Sequence, residues 1–276
     1  MSSPHTLTPP VDLTPDRPAL LNDSGVLIGR GLARWRRDPG ALIASLGFNI
    51  LIVLMFAYLF GGALQVPGGG SYREFLMPGM FVMTMVFGIS LTTIAVAEDL
   101  ERGLTDRIRS MPVSPLAPLV ARAVADMLFA LVTLAVLLLT GLAIGWRAHG
   151  GVDATLAAVG LILLLRFALI WVGIFLGLVT RGQTAVVAVQ TLEFPLGFLS
   201  NAFVAPSTMP AWLGAVAEWN PLSATVGATR ELFGNPGWGG ESWAAQHYPW
   251  LAVAWPIVLV VVFLPLSVAR YRRLGR

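Results

Sequence analysis

The chain of 276 residues contains no cysteine and no lysine. Without thiols, neither a disulfide framework nor a thiolate metal site can be built, and the three histidines, His5, His149 and His247, are too scattered for a histidine cluster. Without lysine, the Gly-x-x-x-x-Gly-Lys-Ser/Thr loop that cradles nucleotide phosphates cannot be written, so ATP is not bound by this chain in the usual way. Charge of either sign is scarce: 12% of residues are Asp, Glu, Lys or Arg, against roughly 25% in soluble globular proteins. No clustered carboxylates or Ser/His pair fall inside an apolar run, as a membrane-embedded enzyme would need. The first long apolar run begins only near Ala41, so no cleaved signal peptide is expected.

What is present is apolar: 56% of the chain is hydrophobic, the composition of an integral membrane protein. A span needs about twenty apolar residues to cross roughly 30 Å of hydrocarbon. Six segments qualify, at about 41–60, 75–97, 118–143, 155–179, 184–204 and 249–269. All eighteen cations are arginine, which says nothing of nucleic acid, and no nucleic-acid partner is expected. Six spans place both termini on one side. Fourteen arginines then share that face, including Arg102, Arg107, Arg109, Arg122 and Arg270, against Arg73, Arg147 and Arg230 opposite. The positive-inside rule makes the termini cytoplasmic.

Residues 1–22, rich in Pro, Ser, Thr and Asp, read as a disordered cytoplasmic tail. From Ser24 to Asp38, Leu27, Ile28, Leu32 and Trp35 alternate with arginines at helical spacing, predicting an interfacial amphipathic helix. Between spans five and six, the segment 205–248 is too long for a plain connection and too apolar for a solvated one. Short helices near Pro210–Glu218 and Leu222–Phe233, separated at Asn220-Pro221, are read as re-entrant helices of the outer leaflet. The tryptophans of this stretch suit that interface, and Gly234–Gly240 reads as a flexible tip. The fold expected is therefore an all-α membrane protein of six transmembrane helices, with an N-terminal interfacial helix and short outer re-entrant helices.

Four ionisable residues lie within spans: Arg122, Asp126, Arg166 and Glu193. A central Arg or Asp costs about 2.5 to 3.5 kcal/mol on insertion scales, so each should face protein or a watery cavity. At 1.5 Å per residue from the turn at Arg181, Arg166 and Glu193 stand roughly 22 and 18 Å along their helices, which predicts an ion pair. Its role is either to pin two helices or to meet cargo. Arg122 and Asp126 make either a buried inner contact or a pair snorkelling to the interface. Pro195 falls near the middle of span five, where it is either a hinge or a static bend. Phe194, Phe198 and Phe203, with Met80, Met83 and Met85, are adaptable enough to line a path for hydrophobic cargo.

The most specific stretch is the charged island Glu98–Ser114 between spans two and three. Leu100, Leu104, Ile108 and Met111 recur at helical spacing while Glu101, Arg102, Asp106, Arg107 and Arg109 fill the other faces, until Pro112 stops the pattern. The run Asp99-Leu100-x-x-Gly103-Leu104-x-Asp106-Arg107-Ile108-Arg109-Ser110-Met111-Pro112-Val113 resembles the cytoplasmic loop of ABC type-2 permeases of the daunorubicin-resistance kind. The likeness continues through Arg122–Asp126, Phe198–Val204, Met209–Leu213 and Asn220-Pro221, and covers about Leu32 to the C-terminus, so residues 23–276 read as one ABC type-2 transmembrane domain.

The resemblance implies the permease half of an exporter of drug or lipid-like cargo in the cell inner or plasma membrane. Two copies of a separate ATPase, carrying ATP and Mg, would dock on a coupling helix at 98–111. Glu98, Asp99, Glu101, Gly103, Asp106, Arg107, Arg109 and Pro112 would form that coupling loop. A second permease protomer, identical or not, would complete the path. Two other readings stand beside this one: a permease for cell-envelope glycan or glycolipid, and an ion-coupled secondary carrier, for which Asp126 and Glu193 are thin material.

Overall fold

The computed structural model describes residues 39–59, 71–102, 117–180 and 182–274, and among them every regular element is helical. In order these are α1 (Pro39–Leu59), α2 (Tyr72–Glu101), α3 (Ala117–Ala143), α4 (Gly151–Val179), α5 (Gly182–Phe198), a 3-10 turn at Pro206–Thr208, α6 (Ala211–Glu218), α7 (Pro221–Phe233), α8 (Trp243–Gln246) and α9 (Tyr248–Arg273). Residues 1–22, the amphipathic segment 24–38, and Gly103, Asp106, Arg107, Arg109 and Pro112 of the coupling segment lie outside the described residues.

Among the described residues, five helices are long and apolar enough to cross a membrane: α1, α2, α3, α4 and α9. The fifth expected span is instead the 17-residue α5, about 26 Å long at 1.5 Å per residue and so short of a full crossing. Its helix stops at Phe198, one turn beyond Pro195. Pro195 therefore lies in the last turn of α5 and not at mid-helix.

α2 is the buried axis of the fold. It runs 30 residues without a break and ends with Glu98, Asp99 and Glu101 as its last turn, capped by Arg102. The beginning of the expected coupling helix is thus continuous with the second span. α4 packs most extensively on α2 and α9. Gly173 and Gly177, four apart, bring α4 against α2: a Cβ at these positions would stand 2.9 Å from the Ile89 carbonyl and 2.8 Å from the Thr93 carbonyl. Small residues at this spacing allow close helix approach in lipid, and the Thr93 hydroxyl donates across the contact to the Gly173 carbonyl at 3.2 Å. On the other side, the Ser267 hydroxyl ties α9 to the Trp171 carbonyl of α4 at 3.3 Å.

α1 differs. It is apolar on every side and buries Val53 and Ala57, while Ile43, Phe48, Leu51 and Leu59 are exposed. Such a helix belongs against lipid or another chain.

The two short helices expected between spans five and six form where the sequence places them. Asn220 caps α7 by accepting the Leu222 N–H at 2.9 Å, with Pro221 at the first helical position. Gly234 ends α7 in the left-handed conformation, φ 66°. The expected flexible tip Gly234–Gly240 is anchored instead. Asn235 accepts the Trp146 indole N–H at 2.8 Å and donates to the Arg147 carbonyl at 2.9 Å, and Trp238 donates to the Asn201 carbonyl at 2.8 Å. Polar side chains inside a glycine-rich segment override its backbone freedom. Trp212, Trp219, Trp243 and Trp250 remain exposed at this end.

Candidate functional site

Met80, Met83, Phe87 and Leu91 recur at helical spacing along α2 and face α1 and α5 across a cavity of about 790 Å³. α1 contributes Phe48, Ile52, Met55 and Phe56, and α5 contributes Gln190, Glu193, Phe194 and Phe198. Four ring contacts run along its wall: Phe87 to Phe194 at 5.2 Å, Phe194 to Phe198 at 6.3 Å, Phe198 to Phe203 at 5.2 Å and Phe203 to Phe56 at 5.1 Å. Met83, Phe194 and Phe198, expected along a path for apolar cargo, are thus brought to one cavity. Its volume falls in the range of small-molecule sites.

The polar floor of the cavity comes from α1, α2, α3, α4 and α5. Arg166 and Glu193 are 3% and 4% exposed, and both line the cavity. The expected ion pair between them is not formed. The ion pairs among the described residues are Arg102–Glu98, Arg122–Asp126 and His149–Glu74. Matched depth along two helices was not enough, because α2 packs against both α4 and α5 and supplies each charge with another partner. The Arg166 guanidinium donates to the Met85 carbonyl at 3.3 Å and to the Thr92 hydroxyl at 3.2 Å. Glu193 accepts the Ser90 backbone N–H. Gly88 makes the first arrangement possible, since a Cβ there would stand 2.6 Å from the guanidinium carbon.

A line of charge leads from this floor toward the Glu101 end of α2. Thr92 donates to Asp126 at 2.6 Å, and Asp126 pairs with Arg122 at 2.8 Å. Asp126 is buried in this network rather than reaching for the interface. Beyond it, at the end of α2, Glu98 pairs with Arg102 at 3.0 Å on an exposed surface.

Sequence reasoning missed Ser90, Thr92 and Arg230. The hydroxyl-rich run Ser90-Leu91-Thr92-Thr93 within an apolar span was the signal for the first two. Arg230 was counted as an outer-loop cation, yet it is 2% exposed. Its place in the pattern was legible: it stands four residues after Val226 and three before Phe233, on the buried stripe of α7. Its guanidinium lies 4.0 Å from the Phe75 ring centroid and donates to the carbonyls of Phe75, Asn201 and Ala202 at 3.2, 2.8 and 2.7 Å. Burial pulls its pKa below the ordinary guanidinium value.

Comparison with known proteins adds to this geometry. The model of the ABC-2 type transporter family matches residues 24–233. The chain is 32% identical over 245 residues to the daunorubicin resistance ABC transporter permease protein DrrB1 of Streptomyces coeruleorubidus, covering 88% of this chain and 83% of that protein. It is 24% identical over 201 residues to the probable doxorubicin resistance ABC transporter permease protein DrrC of Mycobacterium tuberculosis, covering 73% of each chain. The putative transport permease ycf38 of Pyropia yezoensis is 26% identical over 224 residues, covering 80% of this chain and 77% of that one.

Proposed function

The chain belongs to the ABC-2 type transporter family, and from that premise we propose that it is the membrane-spanning subunit of an ATP-driven exporter of hydrophobic or amphipathic compounds. The observation that carries this reading is the cavity between α1, α2 and α5, large enough for a small molecule and walled by Phe and Met. A glycan would require many hydrogen-bond partners along that wall, so the lining favours an apolar cargo over a sugar.

Energy comes from a partner ATPase in two copies, which holds ATP and Mg. It docks on the loop that follows Glu101, through Arg107 and Arg109. α2 runs without a break from that loop to the cavity wall, so movement of the docked loop is delivered along one helix to Met80–Leu91. A second permease protomer covers the exposed apolar faces of α1 and α5. In this reading α5 makes the sixth crossing, short and continued by residues 199–204, and both termini are cytoplasmic in the plasma or inner membrane. Arg102, Arg122 and Arg270 stand toward one end of the bundle, with Arg73 and Arg147 toward the other, as that sidedness requires.

The test is to fill the cavity. Thr84 lines it, and Thr84→Trp in cells that also express the ATPase should abolish export of a fluorescent aromatic amphiphile while the two subunits still copurify. Unchanged export at normal membrane levels would show that cargo does not pass through this cavity.

A further inference from the structure

Arg230 is a buried cation for which no carboxylate forms an ion pair among the described residues. Its hydrogen bonds go to main-chain carbonyls, one on α2 and two at the broken end of α5. That end needs partners, because a helix that stops leaves its last carbonyls without N–H donors. Neighbouring side chains supply them. Asn220 donates to the Leu196 and Leu199 carbonyls, Ser200 to that of Gly197, and Trp238 shares Asn201 with Arg230.

The two carbonyls under Arg230 belong to the residues immediately before Phe203. Phe203 in turn lines the cavity toward the Tyr72 end of α2, where it packs between Phe198 at 5.2 Å and Phe56 at 5.1 Å. Behind it Ala202 lies against Gly79 of α2, where an added Cβ would stand 3.2 Å from the Ala202 carbonyl oxygen. Charge-assisted bonds to neutral carbonyls hold a backbone more firmly than neutral ones. They are also released without stranding a buried anion.

We infer that Arg230 is a latch: it positions the turn that carries Phe203, and the outer end of the cavity opens when its guanidinium lets go of the Asn201 and Ala202 carbonyls. The inference rests on the sidedness proposed above, which makes the Tyr72 end the exit.

The absence of cysteine gives a clean reporter. Met83→Cys, on the cavity wall, is treated with a membrane-impermeant cationic thiosulfonate in intact cells that express the whole transporter. Adding Arg230→Gln should raise its modification rate about ten-fold at matched membrane levels, by shifting the population toward the open end. Arg230→Lys, which reaches a single carbonyl, should fall between. Equal rates for Arg230→Gln and the parent overturn the latch. Should Arg230→Gln fail to accumulate, Trp238→Phe removes one donor from the Asn201 carbonyl and is read with the same reporter; a measurable rise is expected, and an unchanged rate overturns the latch. Glu241→Cys, exposed on the outer segment, serves as the control for sidedness. If it reacts only in inverted vesicles, the proposed topology fails, while the comparison of Arg230→Gln with its parent in those vesicles still decides the latch.

Discussion

Glu193 on α5 accepts a hydrogen bond from the backbone N–H of Ser90 on α2, and this contact anchors a carboxylate that forms no ion pair with Arg166. An amide oxygen can accept the same bond. Glu193→Gln should therefore accumulate in the membrane to within about two-fold of the parent, whereas Glu193→Leu, which removes the acceptor, should cost roughly 1–3 kcal/mol. Thermal unfolding in mild detergent measures both. A collapse of Glu193→Gln alone would indicate that the negative charge is what the site requires.

The Arg122–Asp126–Thr92–Arg166 line behaves as a unit. Asp126→Ala leaves the Arg122 guanidinium without its carboxylate and the Thr92 hydroxyl without its acceptor, and should destabilise by about 3–5 kcal/mol. Thr92→Val removes the hydroxyl between Asp126 and Arg166 and should cost less. A double-mutant cycle between Thr92→Val and Asp126→Asn should give a coupling of about 0.5–3 kcal/mol. Strict additivity would mean that the hydroxyl transmits nothing between the two charges.

Glycines on the spans divide by what faces them. Gly173→Ala and Gly177→Ala should each destabilise by about 1–3 kcal/mol through overpacking against α2. Gly47 and Gly160 have open space around them, so Gly47→Ala and Gly160→Ala should gain roughly 0.5–1 kcal/mol from helix propensity. Melting temperatures of the four variants, ranked in one detergent, test whether the α2–α4 contact is the tightest seam of the fold.

Much of this architecture was legible because lipid imposes simple rules. Apolar run length marked α1, α2, α3, α4 and α9, and Asn220-Pro221 marked the junction of α6 and α7 through capping chemistry that acts within a few residues. Met83, Phe194 and Phe198 were identified by type and share one cavity. What failed depended on lateral placement. Depth along a helix paired Arg166 with Glu193, but α2 packs against both of their helices and gives each a nearer partner. Arg230 passed for a surface charge because a cation solvated by main-chain carbonyls leaves no acidic residue in the sequence to reveal it. Gly234–Gly240 was read from backbone freedom, while Asn235 and Trp238 fix it through distant partners. Hydropathy also did not register where α5 ends, at Phe198 and short of the expected boundary at 204.

The central claim is that this chain is driven by a separate ATPase docked on the loop after Glu101. The direct measurement is recovery of the chain from its native membrane in mild detergent, beside an Arg107→Glu, Arg109→Glu variant, with mass spectrometry and ATP hydrolysis on both eluates. The account expects a P-loop ATPase with hydrolytic activity in the parent eluate and its loss from the variant at equal membrane levels. A correctly inserted parent that recovers no ATPase, yet moves a compound down an imposed ion gradient, would contradict it.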